Sequence, residues 1–241
     1  MGTMASRLVT AALLALAGMF SSAATATSLE ITPVAVHLVP GQKATTIKVM
    51  NRGGMAAAIQ LRPYAWAQNG DSDVLTSTRD IILSPPIFTI APGATQTIRL
   101  MLRGAASEAG QRSYRLLIDE VPPANAGKQQ VMIAMRVSLP LIVGAAAPKP
   151  RPLSWRAKRG PGTSVILSAT NAGNVFDRVQ AIAVTMADGS RPKVGTSAAN
   201  PYVLAGAQRH WLVHAGSVAR ELRLSVTTQT GKSEQVLALD P

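Results

Sequence analysis

The sequence predicts an all-β chain built as two sandwiches in tandem, and three observations carry that reading. Apolar and polar residues alternate with a period of two in one short run after another. Sixteen prolines and nineteen glycines are spread along the chain, as turns between many short strands require. No long segment holds the 3.6-residue period of an amphipathic helix. Hydrophobic residues make up 47% and charged residues 15%. That composition suits a folded chain with a core and argues against disorder.

The N-terminus reads as a targeting segment. Arg7 precedes an apolar run, Leu8–Phe20, and Ala24-Thr25-Ala26 then supplies small residues in an A-x-A pattern. This is the layout of a secretory signal peptide over residues 1–26, cleaved after about Ala26. The run is too short to span a bilayer, so the mature chain is expected to be exported without membrane insertion. There are no cysteines, which excludes thiolate catalysis and thiolate metal sites. The formal charge is +12, and losing Arg7 with the signal leaves +11. A balance so basic favours acidic partners.

From Ser28 onward strands follow in order. Leu29–Val39 carries Ile31, Val34, Val36 and Leu38 and ends at Pro40-Gly41. Ala44–Met50 alternates again and stops at Asn51-Arg52-Gly53-Gly54. Ala56–Ala67, with an interruption expected at Pro63, leads to a polar tip at Gln68–Asp71. Two short apolar strands, Asp80–Leu83 and Ile87–Ile90, flank Ser84-Pro85-Pro86, where a cis bond is admissible. Thr95–Leu102 and Ser113–Val121 follow, separated by a small-residue loop. Seven or more strands between turn signals predict a β-sandwich over residues 27–143.

The longest alternating run is Gln130–Val143, with Val131, Ile133, Met135, Val137, Leu139, Leu141 and Val143 on one face. Pro140 has no N–H to give a central ladder, so this strand is expected to keep a free edge. A long apolar edge is an aggregation hazard unless another protein covers it. Residues 144–152, GAAAPKPRP, read as a stiff linker. Residues 153–241 then carry a second, weaker set: Ser164–Ala169, Val175–Met186, Pro201–Leu204, His210–His214, Leu222–Thr228 and Gln235–Leu239. No internal repeat between the halves stands out in the sequence.

Catalytic patterns are lacking. His210 and His214 flank a strand-like WLV, where four residues separate them by about 13 Å. Gly231-Lys232-Ser233 imitates the end of a phosphate loop, but Val226 stands where its first glycine belongs. Asp119 and Glu120 are neighbours on a strand and point to opposite faces. The sequence therefore predicts no enzyme, no cofactor and no metal site. Lys149, Arg151, Arg156, Lys158 and Arg159 form the strongest basic cluster, read as a solvated linker or a surface for an acidic partner.

The order of landmarks resembles a known family. Asn51 after the second strand, Trp66 closing the third, SPPIFTIAPGATQTIRL from Ser84, YRLLIDEVPP from Tyr114 and QVMIAMRVSLPL from Gln130 are similar to the PapD-like periplasmic chaperones of the chaperone–usher pathway. The resemblance covers the first sandwich nearly end to end. It implies two immunoglobulin-like domains in an L-shaped arrangement with a cleft between them. It also implies a periplasmic chaperone that folds pilus subunits by donor-strand complementation and delivers them to an outer-membrane usher. Val131, Ile133 and Met135, then Val137 and Leu139, match the donor residues. The expected partners are pilin-like subunits and the usher, with no nucleic acid; a self-capping homodimer is left open.

The departures point to a divergent, archaic-type branch. Family members grip the subunit's C-terminal carboxylate with an arginine and a lysine. Those slots fall here at Val34 or Ala35 and at Pro140. The arginine that joins the interdomain charges in some members falls at about Gly144. Arg115 and Arg136 are the candidates for a replacement carboxylate anchor, because a guanidinium fork binds carboxylates bidentately. Two other classes remain: an exported structural sandwich of a surface fibre or cell-wall complex, and a basic polyanion binder.

Overall fold

The computed structural model describes residues 28–104, 110–122, 134–195, 200–216 and 220–240. The signal-peptide expectation, and the donor positions Val131 and Ile133, lie outside them. The first half forms ten strands: β1 (Leu29–Thr32), β2 (Val36–Leu38), β3 (Ala44–Asn51), β4 (Ala57–Asn69) and β5 (Ser72–Ser77), then β6 (Ile81–Ser84), β7 (Ile87–Ile90), β8 (Thr95–Leu102), β9 (Arg112–Val121) and β10 (Arg136–Val143). One sheet runs β1-β3-β8-β6. The other runs β2-β10-β9-β4-β5, with β7 also on β4. The two inner faces meet in one core that includes Ile47, Ile59, Ile98, Leu100, Leu116 and Ile118.

Three local expectations need correcting. Leu29–Val39 is two strands, because the chain crosses between sheets at the cis Thr32–Pro33 bond. Val34, in the crossing, is therefore exposed. Pro63 does not interrupt β4. Leu61 donates its N–H to Pro86 O, away from β9, and N–H direction alternates along a strand. The missing Pro63 donor thus also points away from β9. It falls between the stretch paired with β7, which ends at Gln60, and the stretch paired with β5, which starts at Tyr64. The third correction is β5 itself, a polar strand exposed at every position. Its pattern shows no buried face, and so gives no period to read. The Ser84–Pro85 bond is cis.

The second half is one hydrogen-bonded sheet of seven strands: β11 (Ser154–Arg159), β12 (Ser164–Thr170), β13 (Asp177–Met186), β14 (Tyr202–Val203), β15 (Gln208–His214), β16 (Glu221–Thr228) and β17 (Gly231–Asp240). Their spatial order is β14-β13-β16-β17-β11-β12-β15. A separate core lies within it, with Val165, Leu167, Val213, Leu222 and Leu224 fully enclosed. The basic run is not all linker: Arg156 and Lys158 sit on the outer face of β11, alternating with the buried Trp155 and Ala157.

The two halves meet through a third apolar cluster. Trp66 and Ile142 of the first pack with Phe176, Tyr202, Leu204 and Ala207 of the second. Tyr202 stands edge-on to Trp66 at 5.4 Å and 5.1 Å from Phe176. The Gln68 amide donates to Tyr202 O at 2.9 Å and accepts from Leu204 N–H at 2.9 Å, so it pairs like a stretch of backbone. Gly144 follows β10 and lies against the end of β2, where its N–H donates to Leu38 O. A Cβ there would come within 3.1 Å of Pro40 and 3.3 Å of Leu38 O, so the position takes no side chain without a shift, least of all an arginine.

Candidate functional site

β10 is paired unequally on its two sides. It is antiparallel to β9 over its whole length. On the other side it meets β2 only from Leu141 to Val143. Over Arg136–Pro140 no strand among the described residues pairs with that edge. Direction follows from two hydrogen bonds. Met135 O accepts from Glu120 N–H at 2.9 Å, toward β9, and Gly144 N–H donates to Leu38 O at 2.8 Å, toward β2. Odd residues therefore serve the β9 ladder, and even residues face the other side. Arg136 and Ser138 present N–H and C=O groups to the open edge, while Pro140 presents only its C=O. Pro140 costs the β9 ladder nothing.

Side chains along β10 grade from core to rim. Leu139, Leu141 and Val143 are each 1% exposed in the first core. Val137 packs against that core while partly buried, and Met135 is also partly buried. Leu139 is thus corrected from a partner-facing position to a core one: the opposing sheet already covers it. Met135 and Val137 sit where that cover runs out.

The outer face of the β10-β9-β4 sheet carries the charged groups. Asp119 accepts from Arg62 Nε and Nη2, at 3.0 and 2.7 Å, through one oxygen and from Arg136 Nε through the other. Burial pushes the Asp119 carboxyl up, but the hydrogen bonds from Arg136 and Arg62 outweigh it and hold the group below the usual carboxylate range. Arg136 is therefore engaged by a carboxylate of its own chain.

Arg115 is placed differently. It lies directly opposite Pro140 on one side and Tyr64 on the other. Its guanidinium carbon stands 3.8 Å above the centre of the Trp66 ring and 5.8 Å from that of Tyr202, a stacking geometry that favours a cation. The side chain is 12% exposed, and its nearest carboxylate, Asp73, is 3.8 Å away. That is beyond hydrogen-bond reach. Burial pulls the Arg115 pKa down. Asp73 itself is held by Arg209 of the second sandwich at 3.2 Å, by Asn200 at 2.6 Å and by Gln68 at 3.2 Å. The Trp66 indole N–H beside this cluster is buried and meets no acceptor among the described residues. The two anchor candidates are thus not brought together. Sequence reasoning reached Arg115 but not Asp73 or Arg209, which are 136 residues apart.

Two immunoglobulin-like halves that meet at an apolar junction, with the β10 edge unpaired over Arg136–Pro140 among the described residues, define a class of two-domain immunoglobulin-like proteins. A family model described as the pili and flagellar-assembly chaperone, PapD N-terminal domain, matches residues 28–148. The chain belongs to that family. Solved structures share the whole architecture at low identity. One is the CsuC–CsuE chaperone–tip adhesion subunit pre-assembly complex from the archaic chaperone-usher Csu pili of Acinetobacter baumannii. It shows 22% identity and a TM-score of 0.66 over 89% of this chain and 100% of that one. The Salmonella enterica SafA pilin–SafB chaperone complex aligns at 20% and 0.59, over 90% and 99%. The E. coli chaperone DraB aligns at 17% and 0.59, over 89% and 97%. No curated sequence matches the chain.

Proposed function

We propose that this chaperone works in the periplasm by lending the open edge of β10, with the residues before it, to incomplete pilin-like subunits. One observation carries the reading: over Arg136–Pro140 backbone groups face outward with no strand beside them among the described residues, in line with an apolar alternation that continues back through Met135, Ile133 and Val131. A guest strand would gain ladder hydrogen bonds from the edge and apolar contacts from those side chains. Each such side chain contributes roughly 1.5–3 kcal/mol before association costs. The folded subunit would then pass to an outer-membrane usher. The work is binding, with no covalent chemistry. Between the anchor candidates, Arg115 is favoured for the subunit's C-terminal carboxylate, because Arg136 already serves Asp119.

The test is co-expression of the mature chain with a pilin-like subunit in the periplasm. A soluble one-to-one complex, lost on Ile133→Asp while the free chaperone keeps its circular dichroism, is the expected result. A subunit equally soluble alone, with no complex, would overturn the reading and favour a structural role in a fibre.

A further inference from the structure

The junction cluster is unbalanced. Arg115 and Arg209 share a single carboxylate, Asp73, with side-chain exposures of 12% and 1% for the two arginines. The sharing is unequal. Asp73 lies within hydrogen-bond distance of Arg209 but not of Arg115. Both Asp73 oxygens are already occupied, one by Arg209 and Gln68 and the other by Asn200. Arg209 also repels Arg115 and adds to the fall in its pKa, after burial. Arg115 is left stacked on Trp66 with no hydrogen-bond acceptor among the described residues. A buried guanidinium in that condition lacks the partner that normally offsets its desolvation.

We infer that Arg209, from the second sandwich, is a positioning residue that holds Asp73 back and so keeps Arg115 open for a carboxylate brought by the bound partner. This rests on the strand-lending reading and adds the reason why the second sandwich is needed for the first to grip. A guest strand on the open edge runs out of donors at Pro140. From the guest strand's own position outside β10, Trp66 on β4 lies three strand spacings across the sheet face, about 14 Å, which roughly four extended residues can cross. Removing Arg209 takes away the cation that holds Asp73, leaving it to the neutral Asn200 and Gln68, so Asp73 turns its charge to Arg115 and the site closes on itself. Neutralising Asp73 has the opposite effect.

The test compares three short peptides of alternating valine and threonine: one with a free C-terminal acid, one with a C-terminal amide, and an amide ending in Asp. Binding to the intact mature protein is measured by calorimetry. The free acid is expected to bind at least about ten-fold more tightly than the plain amide, as a charged hydrogen bond warrants. If the Asp-ended amide matches the acid, the site takes any carboxylate; if it matches the plain amide, the site takes a terminal one. Either supports the assignment. Arg209→Gln should reduce the preference to near unity although Arg115 is intact. Asp73→Asn should raise it, and the double variant should regain it. General damage to the junction would move all three variants the same way, and that result overturns the inference. Should Arg209→Gln fail to fold, Asp73→Asn alone decides, since an unchanged preference means Asp73 does not compete. Equal binding of acid and amide to the wild type sinks this inference and leaves strand lending standing. No binding of any peptide sinks both.

Discussion

Asn51 and Asn171 are the same residue of the fold, used once in each sandwich. Asn51 donates from Nδ2 to Met55 O and Ile90 O, at 2.7 and 3.1 Å, and accepts from Gly53 N–H at 2.9 Å. Asn171 donates to Val175 O and Val203 O, at 2.8 and 3.0 Å, and accepts from Gly173 N–H at 2.9 Å. Their backbones match as well. Asn51 N–H donates to Ala94 O and Gly93 N–H to Asn51 O; Asn171 N–H donates to Ala207 O and Gly206 N–H to Asn171 O. Each asparagine ties the end of a strand to a distant glycine turn.

Replacing either with alanine should therefore strand two carbonyls and one N–H at once. A cost of about 2–4 kcal/mol is expected for each, from unsatisfied buried groups. Urea unfolding should show Asn51→Ala weakening the first sandwich and Asn171→Ala the second. Equal effects on both transitions would show that the halves unfold together.

The paired turns make a second prediction. Gly93 and Gly206 both adopt φ of 72°, a region that side chains enter at a cost. Neither has a neighbour within 4 Å of an added Cβ, so only backbone strain is at stake. Gly93→Ala and Gly206→Ala should each destabilise by about 1 kcal/mol, and by similar amounts, as read from thermal unfolding.

Ser138→Pro tests the open edge directly. Ser138 faces the same side as Pro140, so the substitution removes an outward donor and spares the β9 ladder. The free protein should keep its fold, and subunit capture should fall several-fold or more, since edge pairing needs that N–H. Undiminished capture, measured in pull-downs, would show that guest strands do not dock there.

Asp119 gives a pH prediction. Its folded pKa is depressed by Arg136 and Arg62 against an opposing effect of burial. A depressed carboxylate adds stability above its unfolded pKa of about 3.9, and that stability is lost as pH falls through the lower folded value. Asp119→Asn should thus be less stable than wild type at neutral pH, by no more than about 1 kcal/mol given the exposed arginines. The gap should close in acid. A gap that persists unchanged at low pH would contradict the ion pairing.

Much of the fold was legible because burial on one face writes a period of two. β3 and β8 show it plainly, whereas β9 and the end of β10 are buried on both faces, the latter where the second half packs on Ile142. β5 was hidden because none of its residues is buried. β11 was hidden because four of its six residues are polar and its basic side chains dominate the composition. The repeat of Asn51 and Asn171 went unseen because only N-x-G and a later G-A recur, in otherwise different sequence. The site divided likewise. Pro140 advertised an edge, whereas the hold of Arg209 on Asp73 depends on two distant segments meeting.

Pro140 also acts as a ruler. An edge with outward N–H groups at Arg136 and Ser138 and none at Pro140 has a marked end, so an added strand can count its position from that mark. Side chains alternate every residue, and a slip of one would turn every guest side chain to the wrong face. If a guest strand docks as proposed, the end of the scale, set by a single imino acid, selects which guest residues share the core-facing side of β10.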